Sequence, residues 1–95
     1  MQTKGEVLLK HWKSIQTLMR ANCQATASLE TLLSKTPEQL CGFMMAMGTG
    51  DHAGDARRAS AYLAIMYGLD EPVTAALEAH FASCLQLCGS SSQLE

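Results

Sequence analysis

Charged side chains are scarce in this chain of 95 residues. Asp, Glu, Lys and Arg together make up 17% of the sequence, against roughly 25% in an ordinary globular domain. Hydrophobic residues reach 47%, so too few charges remain to cover the outward faces of a helical protein. Exposed apolar patches usually mark interfaces, and we therefore expect either an oligomer or a protein with an obligate partner.

The sequence also lacks the cationic surface that nucleic-acid binding requires, because its net charge is −2. Residues 1–36 carry five cations and two anions, whereas residues 37–95 carry two cations and seven anions. The two parts could attract each other, or the basic part could steer an acidic partner. Ordinary solvated faces are the simpler interpretation, since such asymmetry is weak in energy. Nucleic acid is not an expected partner.

No secretory signal is visible, because residues 4–13 enclose only a short apolar run and no small-residue cleavage site follows. No stretch reaches the ~20 apolar residues that a membrane-spanning helix needs. The four cysteines do not form the dense framework of a small extracellular domain. Three of them lie within apolar helical patterns instead. We expect a cytoplasmic protein that does not insert into membranes.

Signatures of catalysis and metal binding are also lacking. No carboxylate pair or catalytic loop accompanies the histidines and cysteines, and the glycine-rich residues 48–55 lack the Gly-Lys-Ser/Thr ending of a phosphate loop. His80, Cys84 and Cys88 recur every four residues, but the first and last would lie ~12 Å apart, too far for one zinc ion. We therefore expect no enzymatic activity, no metal and no cofactor, with the cysteines packed in a core.

Helical periodicity and capping signals predict an all-α domain over residues 1–89, with about four helices arranged as antiparallel hairpins. The clearest start signal is Thr36, followed by Pro37 and Gln39. Asp70 caps the last helix, and glycines mark the helix ends. The three later helices are predicted over residues 37–47, about 56–67 and 71–88. Residues 90–95 are predicted to be a disordered tail, and its last two residues are compatible with an expression-vector remnant.

The first helix begins at a capping box formed by Thr3 and Glu6. Its apolar side chains recur at spacings of four and three, and the stripe resumes at Leu29 and Leu33 after a polar gap. One long helix is favoured, because no glycine or proline interrupts it. A break between residues 22 and 28 is the alternative.

A cluster of methionines, Met44, Met45 and Met47, makes the second predicted helix apolar around most of its circumference. Methionine most often fills irregular cores, but it also forms adaptable grooves that accept the amphipathic helix of a partner. The low surface charge favours the groove. The predicted partner-binding side chains are Leu40, Phe43, Met44, Met47, Tyr62 and Met66.

A self-associating regulatory protein is the alternative. The apolar stripe of the first helix would then pair with the same stripe of a second copy. The predicted self-association residues are Leu8, Trp12, Ile15 and Met19.

Part of the chain resembles a known family. The turn Gly50-Asp51-His52, followed by Ala56, is similar to the turn of a tetratricopeptide hairpin. Residues 48–52, the run Ala61-Tyr62-Leu63 and the link Gly68-Leu69-Asp70-Glu71 resemble the small tetratricopeptide chaperones for the needle subunit of bacterial type III secretion systems. The resemblance covers residues 40–79. It implies a tetratricopeptide-like fold and a cytoplasmic chaperone whose concave face covers an aggregation-prone partner helix.

Overall fold

The computed structural model describes the backbone of residues 3–94 and the side chains of residues 3–88. Within these residues the protein is all-α, which confirms the predicted fold class, and it has five helices in place of about four. The helices are α1 (Lys4–Asn22), α2 (Ala27–Leu33), α3 (Pro37–Met47), α4 (His52–Tyr67) and α5 (Glu71–Leu94). None of these described helices is long and apolar enough to cross a bilayer.

The additional helix arises because the first predicted helix is broken at residues 23–26. The favoured prediction of one continuous helix is therefore wrong. The hydroxyl of Thr26 accepts a hydrogen bond from the backbone N–H of Leu29 at 3.1 Å, and this cap stabilises a new helix start. α2 stays attached to α1, because the Gln16 side chain donates to the Leu33 carbonyl at 2.9 Å.

α3 and α4 form a helical hairpin with a short turn. α3 begins with the predicted capping box: Thr36 accepts from the backbone N–H of Gln39 at 3.1 Å, and the Gln39 side chain accepts from the backbone N–H of Thr36 at 3.0 Å. α4 begins at His52, whereas the sequence predicted a start near Ala56. The turn is shorter than predicted because Asp55, inside the first turn of α4, ties the preceding loop to the helix.

α5 is the central helix and packs against α1, α3 and α4. The link from α4 turns at Gly68, whose φ of 68° is the left-handed conformation that ends many helices. Asp70 then accepts a hydrogen bond from the backbone N–H of Val73 at 3.4 Å. The side chain of Asp70 therefore caps α5 as predicted.

The C-terminal end of α5 differs from the prediction. The helix continues to Leu94, so the predicted end at Gly89 is wrong, and residues 90–94, assigned to a disordered tail, are helical. Glu95 lies outside the described residues. A single glycine costs a helix only ~1 kcal/mol relative to alanine, and it does not by itself end one.

One hydrophobic core receives side chains from all five helices. The apolar stripe of α1 lies entirely within it, with exposed fractions of 7% or less. In this fold the stripe faces the core and leaves little surface for a second copy, and its role in self-association stays a prediction. The four residues concerned are Leu8, Trp12, Ile15 and Met19.

Candidate partner-binding groove

An apolar groove of about 690 Å³ lies between α2, α3 and α4. The α3 and α4 walls carry side chains that recur three or four residues apart, so each set shares one face of its helix. The hairpin brings the two faces together. All six side chains predicted for partner binding line this groove: Leu40, Phe43, Met44, Met47, Tyr62 and Met66.

Four of these side chains are unusually exposed for large apolar groups. Leu40 and Met44 are buried and, together with Phe81 of α5, form the floor of the groove. The walls therefore leave apolar surface exposed to water. The exposed fractions are 57% for Phe43, 74% for Met47, 63% for Tyr62 and 48% for Met66.

A buried carboxylate fixes the turn between α3 and α4. Asp55 accepts hydrogen bonds from the backbone N–H groups of Thr49 at 3.0 Å and Gly50 at 3.2 Å, and it pairs with the Arg58 guanidinium. The Thr49 N–H, together with the Gly50 N–H and Arg58, holds the pKa of Asp55 below its usual value, although burial opposes this shift. Asp51 occupies the cap position without a capping side-chain hydrogen bond. Asp55 therefore organises this turn.

α2 supplies a wall that the sequence analysis missed. Leu32 and the following Lys35 line the groove. The hydroxyls of Ser28 and Tyr67 are hydrogen-bonded at 2.9 Å, which fixes α2 against α4. The sequence carries a signal for the start of α2. Thr26 stands three residues before apolar Leu29, which is the spacing of a helix N-cap.

Three cysteines meet in the core where α3 contacts α5. The Cys41 thiol donates to the Cys84 carbonyl at 3.6 Å, and this contact lies one turn from Cys88. Hydrogen bonding to Cys84, with burial, raises the pKa of Cys41, and burial raises the pKa of Cys88 to about 12. These two thiols therefore stay protonated at neutral pH, which makes them poor nucleophiles. The ring of His80 lies against α1, 5.8 Å from that of His11.

The described residues contain no group of three His, Cys, Asp or Glu side chains arranged to hold a metal ion. A second cleft, of about 810 Å³, lies between α1 and α5. Its lining includes the charged side chains of Lys10 and Lys13 beside apolar Leu9 and Leu18. This cleft is the ordinary amphipathic outer face of α1.

No family model, curated protein or solved structure matches this chain. The resemblance of residues 40–79 to tetratricopeptide chaperones therefore stays a prediction. The function is best argued from the groove itself, whose walls carry four of the exposed large apolar side chains of the described residues.

Proposed function

We propose that this protein is a non-enzymatic binding module that buries an amphipathic helix of a partner protein in the groove. The observation that carries the proposal is the set of four exposed apolar side chains facing one concavity above a buried floor. Phe43 and Met47 lie one turn apart on α3, and Tyr62 and Met66 lie one turn apart on α4. Two such rows match the apolar stripe of an amphipathic helix, whose anchors also recur every three or four residues.

The chemistry of the walls suits a partner of variable shape. Met47 and Met66 have unbranched side chains that adapt to irregular apolar surfaces. Completing the burial of each half-exposed wall residue contributes about 1 kcal/mol to the free energy of binding. Each apolar anchor of the partner contributes a similar amount. Lost rotational and translational freedom offsets part of this gain. We therefore expect dissociation constants between about 1 μM and 1 mM for a short helix.

The cellular role that follows from this proposal is that of a chaperone or adaptor in the cytoplasm. Such a protein covers a partner helix that would otherwise associate with other apolar surfaces. A component of bacterial type III secretion is the partner that the resemblance of residues 40–79 implies. The α3–α4 hairpin, most of which lies within those residues and which forms two walls of the groove, supports this more specific proposal.

Peptide titration against groove variants tests the proposed function. The probe is a fluorescein-labelled helical peptide of about four turns, with a leucine stripe and an uncharged face of Gln and Ala, and its binding is followed by fluorescence anisotropy. Met47→Glu and Tyr62→Glu each place a charge in the groove and should weaken binding at least tenfold. Both side chains are mostly exposed, so the fold should survive both changes.

Ile65→Glu is the matched control, because Ile65 is 86% exposed on α4 and does not line the groove. It should leave the affinity within about twofold of the unmodified protein. If the unmodified chain binds no peptide at millimolar concentration, the proposal is wrong. It is equally wrong if Ile65→Glu weakens binding as much as Met47→Glu does.

A further inference from the structure

Most polar groups that line the groove are already hydrogen-bonded within the chain. Ser28 and Tyr67 bond to each other at 2.9 Å, and the Thr31 hydroxyl donates to the Ala27 carbonyl at 2.9 Å. Both carboxylate oxygens of Asp55 accept hydrogen bonds from the turn between α3 and α4. These groups already have partners within the chain, although their oxygens can still accept a further hydrogen bond.

Two cations at the groove keep unused donors. Lys35 is half-buried and makes no ion pair or side-chain hydrogen bond with any residue that the structure describes. Arg58 bonds Thr49 and Asp55 through Nη2 alone, which leaves its other N–H groups without a partner among the described residues. Its side chain is 59% exposed. The two charged groups at the groove that keep free hydrogen-bond donors are therefore both cations, and the charge of Arg58 is shared with Asp55.

We propose that the groove takes an amphipathic helix of another protein whose apolar stripe is flanked by carboxylates, which pair with Lys35 and Arg58. This inference rests on the proposed function, because it specifies the partner of the same groove. The lining of α4 runs from Asp55 to Tyr67, about 18 Å at the rise of an α-helix. The apolar stripe of the partner is therefore about three turns long, with acidic side chains at its ends.

A second copy of this chain does not meet that description. The apolar stripe of α1 and that of α5 are already buried in the core of the chain. The protein also carries a net charge of −2, so long-range attraction alone would favour a basic partner. A preference for acidic helices would therefore show that local contacts at the groove, and not the net charge of the protein, determine the choice of partner.

The test compares three versions of the leucine-stripe peptide, with the stripe unchanged and Glu, Gln or Lys residues at both ends. Charges at both ends make the result independent of the direction in which the peptide lies. At low salt the Glu version should bind about tenfold more tightly than the Lys version, and this ratio should shrink as ionic strength rises. Lys35→Glu should bring the ratio close to one.

Lys10→Glu is the matched control, because it changes the net charge equally but lies on α1, outside the groove. It should keep the preference for the Glu version. Equal binding of the three peptides, or tighter binding of the Lys version, overturns this inference and leaves the proposed function standing. Absence of binding by all three overturns both. Light scattering gives the remaining outcome. If the protein is dimeric and becomes monomeric after Met47→Glu, the groove binds a second copy and the inference is overturned.

Discussion

Gly48 and Gly42 show how much the role of one residue type depends on its surroundings. A side chain at Gly48 would place its Cβ atom 2.9 Å from the Met44 carbonyl oxygen and even closer to the carboxylate of Asp55. Such contacts are shorter than folded proteins tolerate, so the turn between α3 and α4 needs a glycine there. Gly42 lies on the exposed side of α3, with nothing near the position of an added Cβ atom.

Alanine at these two positions should therefore have opposite effects on stability. Gly48→Ala should lower the free energy of unfolding by about 1–3 kcal/mol, because the turn must shift to accommodate the methyl group. Gly42→Ala should raise it by about 1 kcal/mol, because alanine is the better helix former. Urea denaturation followed by circular dichroism measures both changes. A Gly48→Ala variant as stable as the unmodified protein would contradict the close approach of Gly48 to Met44 and Asp55.

At the scale of elements, the contact between α1 and α5 contains a pair of histidines. The ring of His80 on α5 lies 5.8 Å from that of His11 on α1. Burial, together with the nearby His11, lowers the pKa of His80 below its ordinary value of 6.5. The folded chain therefore takes up this proton less readily than the unfolded chain does.

The stability of the protein should fall in mild acid for this reason. Well above pH 6.5 His80 is neutral in both the folded and the unfolded chain, so it does not lower the free energy of unfolding. As the pH falls below 6.5, the unfolded chain is protonated first, so the free energy of unfolding decreases until the pH is below the folded pKa. Urea midpoints between pH 7.5 and 5 measure this loss.

His80→Gln should reduce that loss, whereas His52→Gln, in the first turn of α4, should retain it. An unchanged pH profile in His80→Gln would show that the α1–α5 contact is not the source of the acid sensitivity.

The ends of the elements show what local sequence signals can and cannot predict. The start of α3 was predictable, because Thr36, Pro37 and Gln39 form a complete capping box. The break before α2 was only the alternative prediction, because Thr26 offers a cap without a glycine or proline to confirm it. The early start of α4 depends on Asp55, whose contacts with the preceding loop form only in the folded turn.

At the scale of the whole molecule, composition predicted an apolar surplus but not its distribution. Periodicity showed that α1 carries an apolar stripe, yet it could not distinguish a stripe facing the core of the chain from one facing a second copy. Tertiary packing decides this, and α1 packs against α5. The surplus that stays exposed lies mainly on α3 and α4. The groove was predictable in its α3 and α4 walls, because the apolar side chains of each wall recur three or four residues apart along their helix.

The methionines of the protein allow a direct test of that groove. Met44, Met47 and Met66 line it, whereas Met19 is fully buried in the core and Met45 is 43% exposed outside it. The measurement is a titration with the amphipathic peptide, followed by NMR of ¹³C-labelled methionine methyl groups. Partner binding in the groove predicts that the methyl signals of Met44, Met47 and Met66 shift while those of Met19 and Met45 stay in place. Shifts confined to Met45, or no shift at about 1 mM peptide, would contradict the proposed function.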